Sequence, residues 1–140
     1  MKLKVKKLHK DAKIPSYAHH DDAGFDLYAV EDTLVKKGER VAVMTGIAME
    51  IPEGHVGLVW DKSGLALNHG IKTIAGVVDS SYRGEMLAVV TNLSDKDHLF
   101  EKGHKIAQMI IQKKETMEFE EVDELSDTKR GGAGFGSTGK

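Results

Sequence analysis

Hydrophobic and polar positions alternate along most of the chain, and the alternation has a period of two. It is clear over residues 47–51 and 56–60, and it returns in the longer stretches EMLAVVTNL (85–93) and KIAQMIIQK (105–113). Because successive side chains of a strand point to opposite faces, this spacing is typical of strands with one or both faces buried. The sequence therefore predicts an all-β protein.

Turn-forming residues separate the predicted strands, as expected for short connections between them. They form four stretches: KKGE (36–39), PEGH (52–55), LSDKD (93–97) and EKGH (101–104). One short helix is predicted over residues 63–70, SGLALNHG, with Ser63 as its N-cap and Gly70 as its stop. The expected fold is thus a β-structure with a single short helix.

The length and charge of the chain indicate one domain without a general attraction to anions. It has 140 residues, a formal net charge of −2 and no cysteine. We therefore expect no nucleic-acid or membrane partner and no thiolate metal site, so that any anion site must be built locally. No apolar run resembles a signal peptide or is long enough to span a bilayer, which predicts a soluble, cytoplasmic protein.

The C-terminal end differs in composition from the rest. RGGAGFGSTGK (130–140) is rich in glycine, which loses more conformational freedom on ordering than any other residue. An acidic stretch, ETMEFEEVDELSDTKR (115–130), leads into it and is expected to be a solvated linker whose few apolar residues pack on the folded body. The predicted division is a β-domain over residues 1–125 and a flexible arm over residues 126–140.

Two glycine-containing stretches have the composition of an anion site. DAGFDLYA (22–29) has Gly24 before Asp26, and DKSGLALNHGI (61–71) has Lys62, Ser63 and Gly64 at the predicted start of the helix. Outward-pointing backbone amides, a cation and a hydroxyl at such a point suit a phosphate. Taken alone, KSG is more typical of a capped surface turn, so the phosphate interpretation depends on other motifs.

A third stretch, AGVVDSSYRGEMLAVVTN (75–92), contains a candidate general base. Asp79 falls at a predicted strand end, where an ionised carboxylate can accept the proton of an attacking water. An Asx-type turn explains Asp79 equally well. Likewise Tyr82 is in isolation a half-buried strand aromatic, and Arg83 the partner of Glu85 in an ion pair.

Five motifs in order change these interpretations: AGFDLYA, KSGLALNHGI, GVVDSSYRGE, GHKIAQMI and RGGAGFGSTG. Together they resemble the five motifs of the all-β, homotrimeric dUTPase (deoxyuridine triphosphate nucleotidohydrolase) family. The resemblance runs from about residue 22 to residue 139. It implies a jelly-roll-like β-barrel with one short helix and a glycine-rich C-terminal arm, assembled as a homotrimer whose active sites are each shared by several subunits.

The resemblance also implies a reaction. Enzymes of this family hydrolyse dUTP to dUMP and pyrophosphate by attack of water on the α-phosphorus, which limits uracil in DNA and supplies dUMP for dTMP synthesis. Asp79 matches the carboxylate that activates the water, and Tyr82 the ring that packs under the deoxyribose and excludes a 2′-hydroxyl. The uracil is expected to be read by backbone groups of residues 76–78, which are Gly76, Val77 and Val78, and near Leu87.

The remaining motif residues match positions that hold phosphates or Mg²⁺. Mg²⁺ is expected as the cofactor, bound mainly by triphosphate oxygens, with Asp26 supporting it through water or supporting the structure of the site. Phe135 is expected to stack on uracil, Gln108 to lie close to the phosphates or the water, and Arg130, Ser137 and Thr138 to contact phosphates. The residues matched to substrate binding in the second and fourth motifs and in the arm are Lys62, Ser63, Gly64, Gln108, Arg130, Phe135, Gly136, Ser137 and Thr138.

Two residues depart from the family pattern. Lys62 stands where the family usually has arginine, so the positive charge is kept but a bidentate guanidinium contact to phosphate is not. Asp61 adds a negative charge beside the same candidate site, and the sequence does not indicate where it points. Neither departure removes a catalytic group.

Other functions predict different residues. A dCTP deaminase, or a bifunctional dCTP/dUTP enzyme, of the same fold would have glutamate in place of Asp79 and no Phe-containing arm. A non-catalytic nucleotide-sensing module would be expected to have lost Asp79, Tyr82 or the arm. One Arg-Gly-Gly on an acidic chain supplies too few phosphate contacts for RNA binding.

Overall fold

The computed structural model of the chain describes residues 1–134 and contains ten strands and one helix over that range. The strands are β1 Lys4–Lys7, β2 Phe25–Tyr28, β3 Thr33–Val35, β4 Arg40–Glu50, β5 His55–Trp60, β6 Ile71–Thr73, β7 Val77–Val78, β8 Glu85–Asn92, β9 His98–Phe100 and β10 Lys105–Lys113. Helix α1 spans Ser63–His69. The prediction of an all-β protein with one short helix is confirmed.

Two four-stranded sheets form the body, with strand orders β1-β4-β8-β6 and β2-β10-β5-β7. Strands β3 and β9 form a third, two-stranded sheet, and every strand pair is antiparallel. Within residues 1–134 no ladder joins the two large sheets into a closed barrel, so the architecture is jelly-roll-like. β1 is an edge strand and has lysine at three of its four positions.

Both large sheets contribute to a single hydrophobic core. In β8 the buried positions alternate, and Met86, Ala88 and Val90 face inward. The other sheet contributes Leu27 and Met109 to the same cluster. The period of two read from the sequence is therefore the period of burial, because each sheet packs one face on the core.

Helix α1 begins one residue away from the predicted position of its cap. Lys62 is the N-cap, with extended backbone, and Ser63 is already the first helical residue, so the prediction of Ser63 as N-cap was wrong. Gly70 ends the helix as predicted. It adopts the left-handed conformation (φ 64°), and its N–H donates to the carbonyl of Ala66 at 3.2 Å.

The last strand ends at Lys113, and residues 114–134 form no helix or strand. The acidic stretch was expected to pack its apolar residues on the body, and this is wrong for the single chain. Phe119 is 97% exposed, and Met117, Val122 and Leu125 are also exposed. The division at residue 125 remains a prediction. None of the helices in the described part of the chain is long and apolar enough to cross a membrane.

Candidate active site

The third motif forms a cleft of about 230 Å³ between β7 and β8. All six residues predicted from this motif to act on the base, sugar or water line it: Gly76, Val77, Val78, Asp79, Tyr82 and Leu87. Its walls are mainly apolar, apart from Asp79, Glu85 and the Tyr82 hydroxyl. A cleft with apolar walls and few polar groups suits a flat heterocycle whose edge meets the backbone.

Two consecutive left-handed residues shape the entrance to β7. Ala75 has φ 61° and Gly76 has φ 103°. The Val59 N–H donates to the Gly76 carbonyl at 2.8 Å, and a Cβ on Gly76 would lie 2.8 Å from the Val59 carbonyl oxygen. Glycine is therefore required at position 76, where the chain before β7 lies against Val59 of β5. A left-handed alanine beside it is a strained backbone of the kind often found at functional sites.

The Tyr82 ring is fixed by the turn that follows Asp79. Its hydroxyl donates to the carbonyl of Glu85 at 3.0 Å, and its N–H donates to the carbonyl of Asp79 at 3.1 Å. The ring lies so close to Gly84 that any side chain at Gly84 would collide with the Tyr82 hydroxyl. The aromatic face is thus held at the cleft and stays half-exposed.

The Arg83 side chain is hydrogen-bonded to the main chain of the turn between β7 and β8. Its guanidinium donates to the carbonyls of Ser80 at 2.6 Å and Tyr82 at 2.9 Å. Glu85 accepts a hydrogen bond from the N–H of Gly46 at 2.7 Å. The Arg83–Glu85 ion pair considered from the sequence is therefore absent among the contacts of residues 1–134.

Asp79 offers an exposed carboxylate in the same cleft. Its carbonyl takes part in the turn, whereas no hydrogen bond or ion pair within residues 1–134 engages its carboxylate. An Asx turn would use that carboxylate to accept a backbone N–H. Among the described residues the carboxylate is therefore unengaged, and it faces the cleft, where a general base would have to lie.

A second, more polar cleft of about 290 Å³ lies where β2, β10 and the start of α1 meet. Five residues predicted to serve phosphates or metal line it: Asp26, Lys62, Ser63, Gly64 and Gln108. The pairing of β2 with β10 places Asp26 opposite Gln108, and the same strand β10 pairs with β5, which leads into α1. Three separate motifs thus meet through strand register.

Asp26 lies between two lysines. Its side chain is 4% exposed, Oδ1 accepts a hydrogen bond from Lys62 Nζ at 2.5 Å, and Oδ2 lies 2.6 Å from Lys105 Nζ as an ion pair without hydrogen-bond geometry. Burial alone would raise the pKa of this carboxyl, but the ammonium groups of Lys105 and Lys62 outweigh burial and hold the pKa below its ordinary value. Asp26 in turn raises the pKa of Lys105.

These contacts bear on Mg²⁺, which the resemblance implies. Among residues 1–134 no group of three or more His, Asp or Glu side chains could hold a metal ion. Direct coordination by Asp26 would require one of its two lysines to leave. The described residues therefore do not fit a metal centre made of protein ligands.

Gln108 is held at the wall of the polar cleft. Its Nε2 donates to the main-chain carbonyl of Asp61 at 2.8 Å. Gly24 leaves room for the side chain, since a Cβ there would lie 3.0 Å from Gln108 Oε1. The amide therefore has a fixed orientation.

The arm residues are only partly within the described range. Arg130 Nε donates to the carbonyl of Ala133 at 2.7 Å, and Arg130 lines neither cleft. Phe135, Gly136, Ser137 and Thr138 lie outside the described residues. The substrate contacts of the arm remain predictions.

Sequence reasoning missed Lys105, which supplies the second cation at Asp26. It stands three residues before Gln108, and a lysine at a strand end carries no signal of its own. Only the register of β10 against β2 brings it to Asp26.

The two clefts share no lining residue in one chain. Asp79 lies in the first, and the phosphate candidates lie in the second. Within residues 1–134 the structure is thus an all-β fold with two separate candidate sites, an apolar cleft that contains Asp79 and a polar cleft that contains Lys62, Ser63 and Gln108.

The comparisons with known proteins agree with this description. The dUTPase family model matches residues 10–139. A deoxyuridine 5'-triphosphate nucleotidohydrolase of Clostridium kluyveri is 48% identical over 99% of each chain. A structure of a mutant dUTPase of Staphylococcus bacteriophage 80alpha with dUpNHpp has a TM-score of 0.93 at 29% identity and 99% coverage of each chain. The chain belongs to the dUTPase family.

A further structure is relevant to the metal. A mutant dUTPase from phage phi11 of S. aureus, solved to describe the coordination of a structural Mg(II) ion, has a TM-score of 0.83 at 26% identity. The match covers 89% of the present chain and 99% of the phage chain.

Proposed function

We propose that the protein is a dUTP diphosphatase that hydrolyses dUTP to dUMP and pyrophosphate. The observation that carries this proposal is the cleft in which the free carboxylate of Asp79, the fixed ring of Tyr82 and the backbone of residues 76–78 lie together. Membership of the dUTPase family supports it. The process served is removal of dUTP and supply of dUMP.

Asp79 is the proposed general base. Its carboxylate accepts a proton from a water molecule as the water oxygen bonds to the α-phosphorus. The bond from that phosphorus to the bridging oxygen breaks, and pyrophosphate leaves with the electron pair. Proton transfer of this kind contributes roughly 10²- to 10⁴-fold to the rate, so loss of Asp79 should affect turnover far more than binding.

Selection of deoxyuridine follows from the shape of the same cleft. The backbone of residues 76–78 and of Leu87 presents hydrogen-bonding groups to the edge of uracil, and fixed walls exclude larger edges. The Tyr82 ring packs under the deoxyribose, where a 2′-hydroxyl would collide with it. Because Gly76 and Tyr82 are both held by close contacts, the cleft discriminates by steric exclusion.

The polar cleft is the proposed phosphate site. Ser63, Gly64 and Gln108 donate to phosphate oxygens, and Lys62 supplies positive charge beside them. Because its ammonium is bonded to Asp26, Lys62 contributes a fixed charge to the cleft rather than a freely moving contact.

Mg²⁺ is the proposed cofactor, and the oxygens of the bound triphosphate would hold it. Mg²⁺ dehydrates reluctantly and takes phosphate oxygens and water readily, so it needs no cage of protein ligands. When bound it would neutralise charge on the phosphates. Asp26 acts on it at most through water, since both of its carboxylate oxygens face lysines.

A complete site requires more than one copy of the chain. Because Asp79 and the phosphate candidates line different clefts of one subunit, we propose a homotrimer in which clefts from neighbouring subunits face each other. The exposed apolar residues of the 115–130 stretch favour contacts with another copy. The arm then covers the bound nucleotide with Arg130, Phe135, Gly136, Ser137 and Thr138.

A substrate panel tests the proposal. The protein is incubated with dUTP, dCTP, dTTP and UTP in the presence of Mg²⁺, and pyrophosphate and ammonia are followed separately. We expect pyrophosphate release from dUTP alone. Ammonia released from dCTP would replace the proposal with a deaminase, and the absence of any reaction with a bound nucleotide would indicate a sensing module.

A further inference from the structure

Asp61 is a carboxylate beside the candidate phosphate residues, and the structure shows where it points. It follows Trp60, the last residue of β5, and precedes Lys62, the N-cap of α1. A free carboxylate at this place would repel a polyphosphate. The side chain instead reaches β6, and Asp61 does not line the polar cleft.

Both carboxylate oxygens of Asp61 are occupied. Oδ1 accepts from the N–H and from the hydroxyl of Thr73, each at 2.6 Å, and Oδ2 accepts from Lys72 Nζ at 2.8 Å. Partial burial opposes ionisation, but the hydrogen bonds from Lys72 and Thr73 outweigh it and keep the pKa of Asp61 below its ordinary value. The negative charge of Asp61 is therefore paired with Lys72 on the side of the turn that faces β6, away from the polar cleft.

The main chain of Asp61 makes a separate contact, with Gln108. Its carbonyl accepts the Gln108 Nε2–H at 2.8 Å, which orients an amide at the wall of the polar cleft. One residue is thus bonded through its side chain to β6 and through its backbone to β10. Movement of Asp61 would displace Gln108 and the start of α1 together.

The start of α1 depends on this turn. The helix has no fully buried residue, and its N-cap makes no side-chain capping bond. Leu65 packs against the hydrophobic core, and the residues before it are bonded through Asp61 and Lys62, whose side chains reach in different directions to Thr73 and Asp26. Ser63 and Gly64 follow directly.

We propose that Asp61 is a positioning residue for the outer phosphates of the substrate. By fixing the turn against β6 it places Ser63, Gly64 and the Gln108 amide without touching the nucleotide. The inference rests on the proposed function and deepens it, because it gives the departure next to Lys62 a role in phosphate binding.

The test uses three variants of the full chain. Asp61→Ala removes both bonds to Thr73 and the ion pair, whereas Asp61→Asn keeps an acceptor for Thr73. Asp32→Ala is the matched control, since Asp32 also accepts a backbone N–H, that of Lys102 at 2.7 Å, but lines neither cleft. We measure kcat and KM for dUTP and the dissociation constants of dUpNHpp and dUMP.

We expect Asp61→Ala to lower kcat/KM by about 30-fold, because small displacements of positioned groups are costly. Binding of dUpNHpp should weaken by about 10-fold while that of dUMP, which lacks the outer phosphates, changes by less than about threefold. Asp61→Asn should recover most of the loss, and Asp32→Ala should match the wild type. Equal weakening of dUpNHpp and dUMP, or no rescue by asparagine, would overturn the role.

Hydrogen exchange separates failure of this inference from failure of the proposed function. Amides of residues 61–70 should exchange faster in Asp61→Ala than in the wild type, and those of Asp32→Ala should not. If the wild type released no pyrophosphate from dUTP, the proposed function would fall, while exchange would still report whether Asp61 fixes the turn. Unchanged exchange in a folded Asp61→Ala protein overturns the inference whatever the activity.

Discussion

Asp79 carries the chemistry in the proposed reaction, and its substitution is the sharpest test at the scale of one residue. Asp79→Asn keeps the size of the side chain and removes the base. We expect turnover of dUTP to fall by about 10³-fold while the dissociation constant of dUpNHpp changes by less than about threefold.

The control for this variant is Asp95→Asn, at another exposed aspartate that lies outside both clefts. It should retain wild-type kinetics. An Asp79→Asn protein with near-normal kcat would remove Asp79 from the role of base.

Asp26 links the polar cleft to the pH dependence of stability. Because its pKa is lowered in the folded protein, its contribution is complete above the unfolded pKa of about 4 and is lost as pH falls through the folded value. We expect Asp26→Asn to reduce the free energy of unfolding at pH 7 by about 2 kcal/mol, since both lysines keep some access to water.

Urea denaturation at pH 7 and pH 3 measures this effect. The difference between the wild type and Asp26→Asn should shrink at pH 3, because below the ordinary pKa of about 4 the unfolded chain takes up a proton that the folded carboxylate resists. A difference that stays constant between the two pH values would show that the two lysines do not govern the ionisation of Asp26.

At the residue scale, the sequence identified the candidate functional side chains, but it did not predict the contacts that those side chains make. Motif spacing correctly grouped Asp79 with Tyr82, because both lie in the turn between β7 and β8 and line one cleft. The partners of Asp26 depend on the register of β2 against β10, which brings together residues distant in the chain. Those of Asp61 depend on where the chain returns as β6 after helix α1. The motifs do not specify either arrangement.

Among the elements, strand β7 follows a glycine at a position where an added methyl group has no room. Gly76→Ala combines an unfavourable left-handed backbone with a collision against the Val59 carbonyl. We expect kcat/KM for dUTP to fall by about 100-fold, because the backbone that contacts the base must move.

Gly54→Ala is the matched control for Gly76→Ala. Gly54 has a similar left-handed backbone (φ 75°), but nothing lies within 4 Å of an added Cβ. It should lose about 1 kcal/mol of stability and keep its activity. Equal kinetics of the two variants would mean that the fit of Gly76 on β5 does not shape the cleft.

The C-terminal arm is the second element with a separable role. Truncation after Lys129 removes none of the strands and leaves both sheets complete. We expect turnover of dUTP to fall by at least about 100-fold through loss of groups that enclose the substrate.

Thermal denaturation and sizing of the truncated protein provide the control. Both should match the full chain, because the removed residues begin beyond the last strand. Full activity without the arm would contradict its proposed role as a cover.

Alternation of apolar residues was sufficient to predict the long strands, since one face of each sheet packs on the core. It was insufficient for the start of α1, where the extended backbone at Lys62 accompanies a bond to Asp26, 36 positions away. The expected packing of the acidic stretch failed in the single chain because Phe119 finds no partner on the described body of its own subunit.

For the whole molecule, the separation of the two clefts predicts that subunits complement one another. Asp79→Asn and Gln108→Leu each damage one cleft and leave the other intact. After the two inactive proteins are unfolded together and refolded at equal amounts, about one quarter of the sites should combine two intact clefts.

Pyrophosphate release from the refolded mixture measures this recovery, and each variant refolded alone is the control. Activity near one quarter of the wild-type value supports sites shared between subunits. A mixture as inactive as its components would place the whole site within one chain.

The lysines of β1 have a consequence for the protein at high concentration. β1 leaves one side of its sheet open, and an open strand edge can pair with the edge of another molecule. Two such edges in contact would bring Lys6 and Lys7 of both molecules together, whereas Lys4 is paired with Glu50 at 2.8 Å. The resulting repulsion opposes growth of one sheet onto another.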